Sequence, residues 1–447
     1  MIKSLDLGKK KIFPLILKMS WPSIIALTAM SIYDFIETFW LARLSPRALA
    51  ALTVCFPVQM IFAAIGVGTG TGAGSFSARM FGAGKIYEAQ KTAGQIFFLS
   101  FFFGLITIIS VLLFGDKILV SFGAFNEILP LCHDYLYVIV FSSPFLFFSM
   151  MSNYLLRVEG RPLLSMYVVL IASVSSAILD PLLIFGIGPF PRMGIKGAAL
   201  AAVSAQCIAF VFSVYFIQLK SSKYNLKWKH LFPDLSTIKS IFSTGLPSIA
   251  INLVVSIVLV IYNHVLAHFG FLAVAALGIC FRVNSLVTMV LFGIGFGLMP
   301  IVGFSEGAKL YQRLKESVFV ALKVSVSLAA VASIFLEIFA GQIVGLFSKD
   351  PSLSIIATPA LRIFASALVF IAPIVIFINM FLGLGKGNLA MFLLFLRDCI
   401  VLIPLLIFLP LWLGLEGAWL ATPIANLLAL FAVPFYARKE LRRIETK

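Results

Sequence analysis

Long apolar runs alternate with short polar segments along almost the whole chain. The runs exceed about 20 residues, the length that an α-helix needs to cross the hydrocarbon core of a bilayer. The pattern therefore predicts an all-α polytopic membrane protein with twelve transmembrane helices. We predict these helices over residues 13–42, 49–80, 92–114, 130–156, 163–187, 196–219, 239–268, 272–303, 316–347, 356–384, 389–412 and 416–437.

Composition and charge agree with a membrane location. Hydrophobic residues make up 61% of the chain and charged residues 12%, whereas soluble domains carry roughly 25% charged residues. The net charge of +16 does not indicate nucleic-acid binding, because most lysines and arginines flank the helices on one side of the membrane. By the positive-inside rule, that side is the cytoplasm. We therefore expect a multi-pass protein of the cytoplasmic (inner) membrane with both termini in the cytoplasm.

The second half of the chain repeats the first at an offset of about 225 residues. WPSI at 21–24 corresponds to LPSI at 246–249, and the glycines of GVGTGTGAGS at 66–75 correspond to those of GIGFG at 293–297. Small residues in membrane helices let neighbouring backbones approach closely. No strand precedes either glycine run, so we do not interpret the glycines as a nucleotide-binding fingerprint.

The repeat predicts the domain organisation. Each half holds six predicted helices, so both halves have the same orientation in the membrane. Parallel repeats of this kind are related by an axis along the membrane normal and are a transporter architecture. We predict two pseudo-symmetric six-helix bundles, over residues 1–219 and 239–447, joined by a basic linker at 220–238 that runs along the cytoplasmic surface.

Two acidic residues within apolar helices break the symmetry of the repeat. They are Glu37 and Asp180, and their counterparts in the second half are Tyr262 and Ile403. A carboxyl group in the bilayer core is costly unless it is paired or protonated, so such a residue is functional by default. An acid that is kept in only one of two similar halves therefore indicates a function in the first bundle.

A third acid, Asp34, lies three residues before Glu37, so the two share a helix face. Neighbouring carboxyl groups raise each other's proton affinity. Asp180 precedes Pro181, which leaves a backbone carbonyl unsatisfied and can kink the helix. We predict that Asp180, Glu37 and Asp34 form a cation-coupling or substrate site. The alternative is structural: Asp180 pairs with a buried donor, and the other two acids are solvated at the outer interface.

Other polar residues in the helices carry weaker predictions. Asn153 and Gln206 either form interhelical hydrogen bonds or line a cavity. Arg397 and Asp398 are adjacent, so we expect them to point in different directions on their helix, and we interpret them as structural ions. The five cysteines show no paired spacing and predict neither a disulfide framework nor a metal site.

Several motifs together resemble one transporter family. They are WPSII and YDFIETFWLARL in the first helix, GTGTGAGSFSARMFGAGK in and after the second, ILDPLLIFG in the fifth, and GIGFGLMPIVGFSEGAK in the second half. Their order along nearly the whole chain resembles the multidrug and toxic compound extrusion (MATE) family, in its DNA-damage-inducible-like, prokaryotic branch. The resemblance implies a V-shaped pair of six-helix bundles that exchanges cations for drugs or other organic solutes.

The resemblance also implies residue roles. Glu37 falls where many members have an aspartate in helix 1, and Asp180 falls on the aspartate of helix 5. The family often has asparagine where this chain has Ser176, and threonine where it has Ala202. In members that bind sodium in the first bundle, those oxygens help to coordinate it. We therefore expect protons to be the coupling ion, a weak sodium site at Asp180 and Glu37 being the alternative, and we place Ser176 and Ala202 in the cavity lining.

These observations predict a cation-coupled antiporter that exports organic, cationic drugs or metabolites by alternating access. We expect no cofactor and no resident metal, a monomer in the lipid bilayer, and no nucleic-acid partner. A flippase for a lipid-linked precursor, of the same broad superfamily, is the alternative within transport. A membrane-embedded transferase is the alternative of another class, but the sequence has no DxxxD motif of the kind that binds a diphosphate with magnesium.

Overall fold

A computed structural model describes residues 5–122, 124, 127–219, 221–224, 227–347 and 350–445 of the 447-residue chain. Its helices confirm the all-α prediction. Twelve of them are long and apolar enough to cross a membrane, and we number them α1 to α12. Their bounds are Ile12–Leu44, Pro46–Gly82, Ile86–Ser121, Leu129–Val158, Pro162–Phe185, Ile195–Gln218, Leu235–Ala267, Leu272–Gly307, Tyr311–Phe347, Pro351–Gly383, Gly387–Leu413 and Leu415–Arg443.

The helices differ from the predicted spans mainly at their ends and at two internal irregularities. Helix α3 runs six residues further in the N-terminal direction than the predicted start at 92, because polar residues outside the bilayer continue the same helix. A 3₁₀ turn at Val140–Ser142 interrupts α4 shortly before Pro144, and a π-helical segment at Leu396–Leu402 interrupts α11 shortly before Pro404. Proline has no N–H to continue the α-helical ladder, which favours such irregular turns.

Contacts divide the chain into two compact units that exchange a short segment. Unit 1 contains the described residues within 1–6 and 25–249, and unit 2 contains those within 7–24 and 250–447. The first half of α1 thus packs within unit 2, and the first part of α7 packs within unit 1. Each helix passes from one unit to the other shortly after a proline of the repeated motif. The predicted bundle boundaries at residues 219 and 239 remain a prediction.

The glycines of α2 and α8 make room for these exchanged segments. A Cβ atom on Gly68 of α2 would lie 2.7 Å from the backbone nitrogen of Ile249, and one on Gly293 of α8 would lie 3.2 Å from that of Ile24. At 2.7 Å the backbone of α7 would have to shift to admit a side chain, and at 3.2 Å the backbone of α1 would have to give by a few tenths of an ångström. The two contacts are equivalent under the 225-residue repeat. Each glycine-rich helix therefore packs against the first half of the other repeat's first helix, within a single unit.

The linker is anchored into unit 1 through Gln95 of α3, which is fully buried. Its amide donates to the carbonyl of His230 at 3.0 Å and accepts from the N–H of Asp234 at 2.9 Å. Asp234 in turn accepts from Thr237 at the start of α7 and forms an ion pair with Lys91 at 2.9 Å. The hydrogen bonds from Thr237 and then Lys91 lower the pKa of Asp234 to about 2.

A second anchor joins the linker to α2 and to the α4–α5 turn. The hydroxyl group of Tyr224 lies 2.8 Å from that of Ser77, and the ring is fully buried. Glu159 accepts from the N–H of Lys223 at 2.6 Å, and its burial raises the pKa of its carboxyl group. These buried contacts fix the described part of the linker to unit 1, and its course along the cytoplasmic surface remains a prediction.

Two cysteines come together although their spacing in the sequence gave no sign of it. The thiol of Cys55 on α2 donates to the carbonyl of Cys132 on α4 at 3.7 Å, and the thiol of Cys132 donates to the carbonyl of Ala51 at 3.8 Å. Both cysteines are fully buried and reduced. They join α2 to α4 about one helical turn from Gln59 and Tyr135, which hydrogen-bond to each other across the same two helices.

Candidate functional site

Glu37 lies inside unit 1 and is held by a chain of hydrogen bonds. Its side chain is buried on α1, and its Oε1 accepts from the hydroxyl of Tyr135 on α4 at 2.8 Å. The same hydroxyl accepts from the amide of Gln59 on α2 at 3.0 Å. Three helices thereby orient one carboxyl oxygen. A buried network in which every member is satisfied fixes a side chain in one position.

Asp180 lies on α5 and has the opposite environment. The residue is fully buried, and among the described residues neither carboxylate oxygen has a hydrogen-bond partner. Pro181 follows it inside the helix. An ionised carboxylate without a partner in such a place has a high desolvation cost. Among the described residues, Asp180 therefore lacks the buried donor that the structural alternative requires, and its role in the site remains a prediction.

Tyr33 lies between the two acids. It is four residues before Glu37 on α1, and its side chain lies near those of Ser176 on α5 and of Glu37. Ser176 is buried one helical turn before Asp180. The Asp180 and Glu37 carboxyl groups lie in the same region of unit 1. Unit 1 therefore holds two acids and two hydroxyl groups in one cluster, which can hold a proton or a small cation among oxygen atoms.

The other predicted site residues have different surroundings. Asp34 is exposed, and its backbone carbonyl accepts from Thr38 of its own helix. Gln206 is half-buried and Ala202 is buried on α6. Asn153 is buried near the end of α4, donates to the carbonyl of Ser149 at 2.9 Å and accepts from the hydroxyl of Ser165. Asn153 thus has the local hydrogen bonds of a structural residue, and the cluster around the two buried acids does not include it.

The second unit uses the equivalent positions for packing. Tyr262, the counterpart of Glu37, is buried and donates to the carbonyl of Ala418 at 2.7 Å. Ile403, the counterpart of Asp180, begins the last α-helical part of α11. At the two positions where unit 1 has carboxyl groups, unit 2 therefore has an aromatic residue and an aliphatic residue.

Arg397 and Asp398 depart from the prediction that adjacent residues point in different directions. Their side chains meet, with the Arg397 Nη2 2.6 Å and the Nε 2.8 Å from one oxygen of Asp398. Both lie in the π-helical segment of α11, and the long arginine side chain reaches around the helix to its neighbour. The pair has the geometry of a local structural ion pair, but that role remains a prediction.

Three residues near the two buried acids escaped the sequence analysis: Tyr33 in the cluster, and Tyr135 and Gln59 in the hydrogen-bond chain of Glu37. Tyrosines are common in apolar helices, so neither of them stands out from the 45 phenylalanines and the other aromatic residues. Gln59 carried a usable signal, since it is a single amide in the otherwise apolar stretch FPVQMIF. Its partner could not be inferred, because α2 and α4 are paired only by the tertiary fold.

The geometry agrees with what comparison with known proteins shows. One family model, described as MatE, matches the chain twice, over residues 22–182 and again over residues 247–408. The chain belongs to the MATE family. The two matches begin 225 residues apart, which is the offset of the internal repeat. Members of this family are multidrug efflux transporters and not enzymes, so the alternative of a membrane-embedded transferase is excluded. The branch within the family remains a prediction.

Curated relatives and solved structures cover nearly all of this MATE transporter. An FAD transporter from Shewanella oneidensis is 29% identical over 430 residues, which are 95% of this chain and 94% of the relative. The multidrug export protein MepA from Staphylococcus haemolyticus is 26% identical, with coverage of 95% and 94%. An outward-facing multidrug resistance MATE transporter superposes with a TM-score of 0.93 at 25% identity, over 100% of both chains. A MOP superfamily transporter from Pyrococcus furiosus, also 25% identical, has a TM-score of 0.92 over 100% of this chain and 99% of its own.

Proposed function

We propose that this MATE transporter is a proton-coupled antiporter that exports organic, cationic drugs or metabolites by alternating access. The observation that carries the proposal is the fully buried carboxyl group of Asp180, which has no hydrogen-bond partner among the described residues. An ionised carboxyl group in this position costs several kcal/mol. A proton or a bound cation removes that cost, so the two are natural competitors for one site.

Glu37 supports the same exchange, but its carboxyl group differs from that of Asp180 in having a hydrogen-bond donor. Because Tyr135 donates to one of its oxygens, its ionised form already has a partner, whereas that of Asp180 has none. A proton that enters from outside neutralises Asp180 first, weakens the attraction for a cationic substrate, and releases the substrate outward. Each elementary charge moved across 100 mV contributes about 2.3 kcal/mol, and each pH unit contributes about 1.4 kcal/mol.

The choice of protons over sodium rests on the oxygens around Asp180. Ser176 offers one hydroxyl group, and Ala202 offers no side-chain oxygen. Sodium is bound by several oxygen ligands at once, like other hard cations. Asp180, Glu37 and Ser176 are the side chains that would hold it here, and a proton needs only one of them.

In the proposed orientation both termini lie in the cytoplasm. The protein lies in the cytoplasmic membrane and is a monomer. The orientation rests on the excess of lysine and arginine on one side of the twelve helices. Export then means that the substrate enters from the basic side and the proton from the opposite one.

A second candidate is export of an organic anion. It is favoured by the relative that is named an FAD transporter, at 29% identity over 95% of this chain. A flippase for a lipid-linked precursor belongs to the same group, because its cargo is also anionic. Two buried acids in unit 1 disfavour an anionic cargo next to them, so we rank both below a cation exporter.

The test is transport by the purified protein in liposomes. Efflux of a fluorescent organic cation is followed under an imposed pH gradient and, separately, under an imposed sodium gradient, with FAD as a second cargo. The variants are Asp180→Asn and Glu37→Gln, each nearly isosteric with the native residue. Glu337→Gln on α9 is the matched control, because it removes an exposed acid from unit 2.

We expect cation efflux driven by the pH gradient in the wild type and in Glu337→Gln, and its loss in Asp180→Asn. Efflux that persists in Asp180→Asn would refute the assignment of the coupling site. Efflux driven only by the sodium gradient would mean that the coupling ion at this cluster is sodium and not a proton. Transport of FAD without transport of any cation would replace the cationic cargo by an anionic one.

A further inference from the structure

A basic cavity lies at the surface of unit 2, between the first turns of α9 and the last turns of α12. Its volume is about 540 Å³, and its lining includes three cations, Lys315, Arg438 and Arg442, together with Glu316 and the ring of Phe319. Three cations against one acid leave a positive site. The beginning of α9 adds the partial positive charge of a helix N-terminus. The cavity thus has the charge and the donors to bind a phosphate group.

An apolar groove of about 790 Å³ lies further along α9, on the side that faces α8 and the start of α1. Val287 and Val290 of α8 form one wall, and Leu328, Val331 and Phe335 of α9 form another. Lys323 is the one lysine or arginine among its lining residues. The groove continues from Lys323 to Phe335, which at 1.5 Å per residue is about 18 Å along the helix. One leaflet of the hydrocarbon core is about 15 Å thick.

The cavity and the groove meet at Phe319 and Lys323. The ammonium group of Lys323 lies 4.5 Å from the centre of the Phe319 ring, and Phe319 lines the basic cavity. Lys323 has no carboxylate partner among the described residues. Lysine side chains near a membrane interface extend their charged end toward it, and here that end lies over the ring of Phe319, one helical turn nearer the start of α9. The ammonium group of Lys323 thus lies beside a residue of the basic cavity, at the end of the apolar groove.

We propose that unit 2 binds one anionic phospholipid, with its phosphate in the basic cavity and an acyl chain in the apolar groove. Neither part alone carries the proposal: the cavity matches a phosphate in charge, the groove matches a leaflet in length, and the contact between Lys323 and Phe319 joins them. The cations lie on the predicted cytoplasmic side, where anionic lipids attract basic residues. The site is in unit 2 and is separate from the acids of unit 1.

The test is lipid retention by the full-length protein in detergent, counted by native mass spectrometry after addition of phosphatidylglycerol or phosphatidylcholine. Arg438→Gln with Arg442→Gln removes two charges from the cavity. Ser327→Trp fills the groove and leaves every cation in place. Lys85→Gln with Lys239→Gln is the matched control, because both lysines are exposed, belong to unit 1 and lie on the same predicted side.

We expect phosphatidylglycerol to be retained in preference to phosphatidylcholine. About 1 kcal/mol per basic residue converts to roughly fivefold weaker retention for each arginine removed. Retention should also fall in Ser327→Trp and stay unchanged in the unit 1 control. Equal retention of the two lipids, or unchanged retention in the arginine variant, would overturn the proposal. So would displacement of the lipid by excess inorganic phosphate together with unchanged binding in Ser327→Trp, since that result describes a free-phosphate site.

Discussion

Gly72 of α2 offers a quantitative test of the exchanged packing, by the substitution Gly72→Ala. A Cβ atom at this position would lie 2.8 Å from the backbone nitrogen of Gly245 and would fall on the carbonyl oxygen of Ile241. Both obstacles are backbone atoms of α7, so neither can rotate away. Extra methyl groups in a packed interior cost about 1–3 kcal/mol, whereas replacing glycine by alanine in a helix contributes about 1 kcal/mol of stability.

Gly341 of α9 separates these two effects. It is also helical and exposed, and no atom lies within 4 Å of a Cβ built on it. Gly341→Ala therefore gains the helix propensity alone, and the difference between the two variants isolates the steric cost of about 1–3 kcal/mol. Gly297, the repeat counterpart of Gly72, should fall between them, because its nearest neighbour is the Ser20 hydroxyl, which can rotate, and the nearest backbone atoms of α1 lie at 3.0 Å rather than closer.

The assay is thermal unfolding of the purified variants in one detergent, followed by thiol-reactive fluorescence. We expect midpoints in the order Gly341→Ala, Gly297→Ala, Gly72→Ala, from highest to lowest. A midpoint for Gly72→Ala that equals or exceeds that of Gly341→Ala would mean that the first part of α7 does not pack against α2 in this way. The same result would remove the physical explanation of the repeated glycines.

Two further predictions concern the buried acid and the linker. Tyr135→Phe removes the donor to Glu37, and a buried acceptor that loses its donor costs about 1–3 kcal/mol; the thermal midpoint should therefore fall, and it should fall less when Glu37→Gln is already present. The pKa of Asp234 is lowered from 3.8 to about 2, so its ionised form stabilises the fold above pH 3.8 and this contribution is lost as the pH falls through about 2. The midpoint difference between wild type and Asp234→Asn should accordingly stay constant from about pH 5 to pH 8, and a difference that grows or shrinks across that range would contradict the assignment.

Glu37 and Asp180 show how far the sequence reached into the site. Both could be selected because the cost of a carboxyl group in a bilayer is a property of the single residue and its apolar neighbours. Their environments could not be predicted, since one acid has a tyrosine partner from another helix and the other has none among the described residues. Arg397 and Asp398 illustrate the same limit, because the π-helical segment and the length of the arginine side chain bring together two residues that ideal helix geometry separates.

The sequence by itself determined the twelve spans, the repeat and the asymmetric acids, because each follows from local hydropathy or from comparison of two stretches of chain. The exchange of the first parts of α1 and α7, the anchoring of the linker through Gln95, and the meeting of a basic cavity with an apolar groove were decided only by the tertiary structure. These features depend on which helix faces lie against each other. In a membrane helix most faces are apolar, so hydropathy does not distinguish a face that packs from one that meets lipid.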